Sequence, residues 1–238
     1  MRGRTGNKQP PVVAIGSVAA LAFVVLAVLV ALGQLDTIDR YAVHNLMPNR
    51  AAYHSKISLI ESLLSYRGLH FRPGAVLRLP ASLLLSSLLV GSTSAYLWRR
   101  DRRREATTWA GIFVTGIVLE LLCKAAITRP SLYGTFRGEP VHLTGFDSSF
   151  PSGHAVRAVI LAIVVGSVWP ALRPLLALWL VAVAVTLEVD GIHTPSDITG
   201  GLLLASALAS VGVVLTAKRL ATPARSTTEV RRSRFRPT

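Results

Sequence analysis

Long apolar segments dominate this chain of 238 residues and limit what it can fold into. A transmembrane helix needs about 20 predominantly apolar residues, and the first such segment reaches that length without a charged side chain. Five later segments are similar in character. The six predicted spans cover residues 12–32, 79–98, 107–127, 152–169, 175–189 and 198–217. We therefore expect an all-α fold, an integral membrane six-helix transmembrane bundle.

The charge distribution favours a membrane over a nucleic acid as the partner of this chain. Only 16% of the residues are charged, against about 25% in an ordinary soluble domain. A net charge of +14 would suit nucleic acid binding, but most of the 26 lysines and arginines lie in short clusters beside the apolar segments. We expect membrane lipids as partners and no nucleic acid, and the sequence identifies no protein partner.

The basic clusters also predict the orientation of the chain. Lysine and arginine near the ends of spans mark the cytoplasmic side, which receives the N-terminus, residues 99–104, Arg173 and the tail. With an even number of spans, both termini are then cytoplasmic. The first span is longer than the apolar part of a signal peptide, so we expect an uncleaved anchor. These features predict a multi-pass plasma membrane protein, and the composition rich in arginine and alanine favours a bacterial one.

The predicted spans divide the chain into five parts. Residues 1–11 are the cytoplasmic N-terminus, 12–33 the first anchor, 34–78 an extracytoplasmic amphipathic or loop segment, 79–217 the transmembrane core and 218–238 a basic cytoplasmic tail. The segment 34–78 is expected either as a helix lying on the membrane surface or as an ordinary helical loop. The tail lacks apolar periodicity and is expected to be disordered.

Histidines and a few charged residues gather on the predicted outer side. All six histidines fall in outer loops or at outer span ends, and the third span carries Lys124 and Arg129 at its outer end. Residues 151–154 read Pro-Ser-Gly-His at the start of the fourth span, and the last connection holds His193 and Asp197. Singly, each is explained as a snorkelling side chain or a helix cap. Together, at one membrane depth, they indicate a site.

These residue types are typical of an anion site for phosphoryl transfer. The amino end of the fourth span would present free N–H groups at Ser152 and Gly153 to an anion. Lys124 and Arg129 would add positive charge where negative charge develops on the phosphoryl group.

Two histidines would supply the reacting groups. His193 is the expected nucleophile, and Asp197, four residues later, can reach one ring nitrogen and so determine which nitrogen attacks. His154, two positions after Ser152, is the expected acid for the leaving oxygen. This set requires no metal and no other cofactor, and a single cysteine, Cys123, excludes a cysteine-based metal site.

The motifs resemble those of the type 2 phosphatidic acid phosphatase superfamily, integral membrane lipid phosphatases related to vanadium haloperoxidases. Members carry Lys, six residues, Arg-Pro; then Pro-Ser-Gly-His; then Ser-Arg, five residues, His, three residues, Asp. Residues 151–154 match the second motif, and His193 and Asp197 match the third with the right gap. The resemblance covers about residues 79–217. It implies that His193 forms a phosphohistidine, oriented by Asp197, and that His154 is the acid.

Two arginines of the family pattern are missing from their expected places. After Lys124 and six intervening residues the chain has Ser131-Leu132, although Arg129-Pro130 occurs two positions earlier. Leu187 stands in the third motif where the family has arginine. The resemblance therefore leaves the phosphate to Lys124, to the amides of the second motif and to Arg129.

Because these two arginines are missing, we expect another cation to bind the phosphate. Arg157 follows His154 by three residues, so both lie on one helix face, with Arg157 about one turn deeper. We expect Arg157 to contact the phosphate or a direct partner of it. The competing cations are Arg129 and Arg137 of the outer loop. The other alternative is an ion pair of Arg157 with Glu120, Glu188 or Asp190, which would make Arg157 a support of the site.

Three acidic residues accompany this region. Glu120 precedes Lys124 by four residues, a spacing that favours an ion pair on one helix face. Glu188 and Asp190 lie beside the missing arginine of the third motif. They indicate either recognition of a hydroxyl-rich or cationic headgroup or ion pairs with arginines of the loops.

The leading hypothesis is a metal-independent phosphatase that hydrolyses a lipid phosphate or pyrophosphate at the extracytoplasmic face. A first alternative is a phosphotransferase that passes the phospho group to a lipid or sugar alcohol. A second is a catalytically weak relative that binds lipid headgroups, which the missing arginines would explain. The presence of His154, His193 and Asp197 favours an enzyme.

Overall fold

The structure, a computed structural model, describes residues 11–45, 73–127, 149–190 and 192–217. Within these ranges every regular element is a helix, which confirms the all-α class. The helices are α1 Pro11–Ala31, α2 Asp36–Asn45, α3 Pro73–Arg78, α4 Leu83–Arg99, α5 Arg103–Ala126, α6 Gly153–Val168, α7 Arg173–Val189 and α8 Pro195–Ala217. The predictions for the N-terminus, for most of the segment 34–78, for Arg129 and Arg137 and for the basic tail lie outside the described residues.

Four helical segments of the described chain are long and apolar enough to cross a membrane: α1, α5, residues Pro170–Val189 and α8. A fifth span is present if α3 and α4, which meet at a bend of 50°, are taken as one. The predicted count of six is therefore not confirmed. The helix that falls short is α6, whose 16 residues reach about 24 Å, less than the ~30 Å of a bilayer core.

The bend between α3 and α4 has a local cause. Pro80 lies in a 3₁₀ turn, Leu79–Ala81, and proline supplies no amide hydrogen for a continuous α-helix. Ser82 then caps the next helix, because its side chain accepts a hydrogen bond from the Leu85 N–H at 3.3 Å. The regular helix thus begins at Leu83, four residues later than the predicted span.

The short helix α6 is the centre of the bundle. It packs against α4, α5, α7 and α8, and Val156, Ile160 and Val164 are completely buried along it. A helix enclosed by other helices does not need to match the lipid thickness. Gly201 lets α8 approach closely, since a Cβ atom there would lie 2.5 Å from the Ser152 carbonyl oxygen.

The outer helices expose large apolar side chains. On α1, Leu21 is 67% exposed, and Leu122 on α5 and Leu178 on α7 are similarly exposed. Large apolar side chains exposed in this way mark a surface that contacts a membrane or another protein. Together with the apolar helices, it indicates that the protein associates with a membrane.

The two ends of the bundle differ in composition. At one end, called the polar end, the amino ends of α4, α6 and α8 meet the carboxyl ends of α5 and α7. Ser152 N donates to Asp197 O and His193 N to Leu187 O, Arg157 Nε donates to Ala81 O, and Glu120 lies against Gly153. At the opposite end, called the arginine end, Tyr96 packs on Trp169 and Arg173 Nε donates to Gly166 O. All predicted site residues that the structure describes lie toward the polar end.

Candidate active site

Asp197 faces His193 across the start of α8. Thr194 caps the helix: its Oγ1 accepts the Asp197 N–H at 3.4 Å, while Asp197 Oδ2 accepts the Thr194 N–H at 3.1 Å. The same Oδ2 lies 3.6 Å from His193 Nδ1, longer than a hydrogen bond. Asp197 therefore belongs to the first turn and is not the N-cap residue, and this turn directs its carboxylate at the imidazole.

The loop that carries His193 and the first turn of α8 that follows it are each attached to a neighbouring helix. The His193 N–H donates to Leu187 O at 3.2 Å, at the end of α7. On the other side, Asp39 of α2 is 1% exposed and accepts hydrogen bonds from Ser196 N at 3.2 Å and Ser196 Oγ at 2.5 Å. Sequence reasoning missed this role of Asp39, because nothing near it in the chain indicates a partner 157 residues away.

His154 lies beside His193. Their ring centroids are 6.2 Å apart, and the planes are inclined at 60°. Ser152 caps α6 through its Oγ, which accepts the Ala155 N–H at 3.4 Å, and its own N–H donates to Asp197 O at 2.9 Å. The expected free amide at Ser152 is therefore wrong, since that N–H already joins the second motif to the third.

Glu120 joins two cations of different helices. Its Oε1 lies 2.7 Å from Lys124 Nζ, which confirms the predicted pair on α5, and its Oε2 lies 2.8 Å from Arg157 Nη1. A Cβ atom on Gly153 would lie 1.9 Å from Glu120 Oε1. The carboxylate therefore rests against the amino end of α6, where the helix dipole adds to the stabilisation by both cations. These contacts offset the cost of a carboxylate within an apolar helix.

Arg157 forms an ion pair with Glu120, which is one of the alternatives that the sequence left open. Its Nε also donates to Ala81 O at 3.0 Å, so it joins the bend between α3 and α4 to the centre of the bundle. Through Glu120, Arg157 shares one carboxylate with Lys124, a predicted phosphate ligand. Arg157 thus lies among the site residues, and its contact with phosphate stays a prediction.

A second buried ion pair, between Arg78 and Asp190, was missed by the sequence analysis. Arg78 Nη1 contacts Asp190 Oδ2 and donates to Thr186 O at 3.0 Å. The side chain of Arg78 is 4% exposed. Of the two interpretations of Asp190, an ion pair with an arginine is therefore the one found. Two features of the sequence could have indicated this pair. Arg78 directly precedes one predicted span, and Asp190 directly follows another at the same end of the bundle.

Arg129, the remaining predicted phosphate ligand, lies outside the described residues. Among the described residues, no group of three or more histidine, cysteine or acidic side chains is arranged to hold a metal ion. The absence of a metal from the reaction stays a prediction.

The comparison with known families agrees with this arrangement. The sequence profile of the PAP2 superfamily matches residues 105–221, a stretch that runs from α5 to beyond α8 and includes Lys124, His154, His193 and Asp197. Comparisons with curated proteins and with solved structures give no match. The profile match confirms the resemblance of the motifs, and the chain belongs to the type 2 phosphatidic acid phosphatase superfamily.

Proposed function

We propose that this protein is a membrane phosphatase that hydrolyses a lipid phosphate or pyrophosphate through a phosphohistidine intermediate. Membership of the superfamily indicates phosphatase-type activity on phosphate esters. One observation carries the finer proposal: His154 and His193 are adjacent, with ring centroids 6.2 Å apart, and Asp197 Oδ2 lies 3.6 Å from His193 Nδ1. This is the arrangement that a nucleophile and a proton donor for one phosphorus atom require.

In the first step, His193 attacks the phosphorus atom. Because Asp197 faces Nδ1, it stabilises the proton there and leaves the Nε2 lone pair free to attack. The N–P bond forms while the P–O bond to the leaving group breaks, and protonated His154 transfers its proton to the leaving oxygen.

In the second step, water replaces the histidine. His154, now neutral, takes a proton from the water as its oxygen attacks phosphorus. The N–P bond breaks, inorganic phosphate is released, and both histidines return to their starting states. The Asp197 carboxylate stabilises the positive charge that His193 carries in the intermediate.

Cations at the polar end are proposed to hold the phosphoryl oxygens. The transferring group spreads its charge over three oxygens, and we assign Lys124, Arg157 and the Gly153 amide to these oxygens, with Arg129 as a further candidate. Glu120 fixes the positions of Lys124 and Arg157 through its two oxygens.

The two ends of the bundle support a proposal for the membrane face at which the enzyme acts and for the class of its substrate. The arginine end carries residues 99–104 and Arg173, and positive clusters mark the cytoplasmic side, so the polar end would face outward from a plasma membrane, as in a bacterial inner membrane. A lipid phosphate could then place its headgroup against His193 while its chains stay in the bilayer.

Cysteine labelling in intact cells tests the orientation. In a Cys123→Ser background, Gln34→Cys lies at the exposed turn beside the polar end and Arg104→Cys at the exposed arginine end. A reagent that cannot cross the membrane should modify the first and spare the second. The reverse pattern would contradict the outer-face assignment.

A catalytically weak headgroup-binding protein is the second candidate. Glu120 already neutralises part of the charge of Lys124 and Arg157, and Leu187 occupies the place of a family arginine. Both features weaken attraction for a phosphate anion.

Phosphate release from a panel of lipid phosphates and polyprenyl pyrophosphates, in detergent, separates the two candidates. We expect at least one substrate to be turned over by the wild type, and none by His193→Ala. The matched control is Arg104→Ala at the arginine end, which should retain the wild-type rate. Turnover that survives in His193→Ala would contradict the mechanism. If product forms only when an alcohol acceptor is added, the protein is a transferase.

A further inference from the structure

The third motif lacks its cation because position 187 holds a leucine. Leu187 is completely buried and belongs to an apolar cluster with Ala81, Val183 and Ile198. This side chain supplies no charge to a substrate. A site that must neutralise a phosphoryl group therefore needs a cation from elsewhere in the fold.

The guanidinium of Arg78 lies beside this gap. Its Nη1 donates to the carbonyl oxygen of Thr186 at 3.0 Å, and the next carbonyl along α7, that of Leu187, accepts the N–H of His193 at 3.2 Å. Arg78 and the proposed nucleophile thus bind adjacent carbonyl groups at the end of one helix.

Arg78 retains hydrogen-bonding capacity that the described chain does not use. Its side chain is 4% exposed, and its Nε is buried without a hydrogen-bond partner among the described residues. A buried charged donor without an acceptor destabilises the protein unless a ligand oxygen supplies one. Guanidinium groups present several donors in one plane, which suits the oxygens of a phosphate.

Gly74 keeps the guanidinium in this place. A Cβ atom on Gly74 would lie 2.8 Å from Arg78 Nη1 and would also collide with the Asp190 carboxylate. The absence of a side chain, one turn before Arg78, lets α3 press its arginine against the end of α7. The segment is also attached to the site by the hydrogen bond from Arg157 to Ala81 O.

We propose that Arg78 binds the phosphate of the substrate and supplies, from α3, the guanidinium that the third motif lacks at position 187. Arg78 lies outside the matched region 105–221, so a pattern search within that region cannot find it. The inference rests on the proposed function, because it assigns a further ligand to the same phosphate.

Calorimetric binding of orthovanadate, a phosphate analogue, to the detergent-purified protein tests the assignment without requiring turnover. We expect Arg78→Ala to weaken binding about tenfold or more, the loss expected for a charge-assisted hydrogen bond. Arg78→Lys keeps the pair with Asp190 but loses the planar group, so binding should also weaken. Arg104→Ala, an arginine variant at the opposite end, should bind as the wild type does.

Asp190→Asn distinguishes phosphate binding from a purely structural ion pair. It removes the charge that faces Arg78 but leaves the Thr186 carbonyl to hold the guanidinium, so vanadate binding should stay within about threefold of the wild type. Equal losses in Asp190→Asn and Arg78→Ala, or wild-type affinity in Arg78→Lys, would overturn the assignment. A wild type that neither binds vanadate nor turns over a substrate would instead overturn the proposed function.

Discussion

The polar end contains two regions that are built in different ways. The histidine region comprises His154, His193 and Asp197, at helix starts where the second and third family motifs are present. The cation region comprises Arg78, Lys124, Arg157 and their acidic partners, and there the family arginines are displaced or replaced. In the histidine region the positions come from local caps and turns, such as the reciprocal bonds between residues 194 and 197. In the cation region two of the three ion pairs described, Glu120–Arg157 and Arg78–Asp190, join helices that are far apart in the sequence.

This difference teaches which part of such a site can vary. A nucleophile and its orienting carboxylate need a fixed geometry that only local structure provides. A positive charge for a phosphate can come from any helix that reaches the site, because Coulomb attraction is not tied to one direction. Glu120–Arg157 and Arg78–Asp190, 37 and 112 residues apart in sequence, are contacts of this second kind.

The largest effect is expected from the nucleophile of the histidine region. His193→Ala removes the atom that bonds to phosphorus, so kcat should fall by about 10⁴-fold or more. The measurement is initial-rate phosphate release, with circular dichroism as a check that the helices persist. A rate within tenfold of the wild type would assign the chemistry to another residue.

The second largest effect is expected from Asp197, which orients the His193 imidazole. In Asp197→Asn, the side-chain oxygen can still accept the Thr194 N–H, so the helix start should persist. The amide cannot stabilise a proton on His193 Nδ1 as a carboxylate does, and kcat should fall by about 10³-fold. An unchanged kcat, together with a lower melting temperature, would reduce Asp197 to a helix cap.

The division between local and distant contacts also determines how much of the fold and of the site could be predicted from the sequence. Apolar length predicted the helical class. The position of the motifs at the outer ends of the predicted spans predicted that His154, His193 and Asp197 lie together, as the structure has them. The free amide at Ser152 was predicted wrongly because its partner, Asp197 O, belongs to another helix. The break at Pro80 was visible in the sequence but was read as part of a span.

Arg78 and Asp39 could not be predicted for the same physical reason. Each finds its partner more than 100 residues away, after α2 and α3 have packed against the polar end. The Glu120–Lys124 pair, by contrast, lies within one helix and was predicted from its spacing of four residues.

Glu120→Gln tests whether the cation region depends on its internal carboxylate. The buried Arg157 and the partly exposed Lys124 would lose their counter-charge, so the free energy of unfolding should fall by about 3 kcal/mol. Added inorganic phosphate should restore more stability to this variant than to the wild type, because an oxyanion replaces the missing charge. Denaturant titration in detergent, with and without phosphate, measures both effects. Equal stabilisation of both proteins would place the bound anion away from Lys124 and Arg157.

The smallest effect is expected at the contact between α2 and the first turn of α8, which follows the His193 loop. Asp39→Ala removes the acceptor for Ser196 N and Oγ, and the free energy of unfolding should fall by about 1–2 kcal/mol. Ser196→Ala, which keeps the backbone bond, is the matched control and should lose less. If the two variants were equally stable, the backbone hydrogen bond would contribute nothing to holding α2 against α8.

Trapping the intermediate tests the central claim most directly. The wild-type protein is mixed with a substrate that carries a radiolabelled phosphoryl group, quenched in alkali within one turnover and digested. The account predicts an alkali-stable, acid-labile label on the peptide that contains His193, and no label in His193→Ala. Turnover that proceeds with the label on another residue, or on none, would contradict a phosphohistidine at His193.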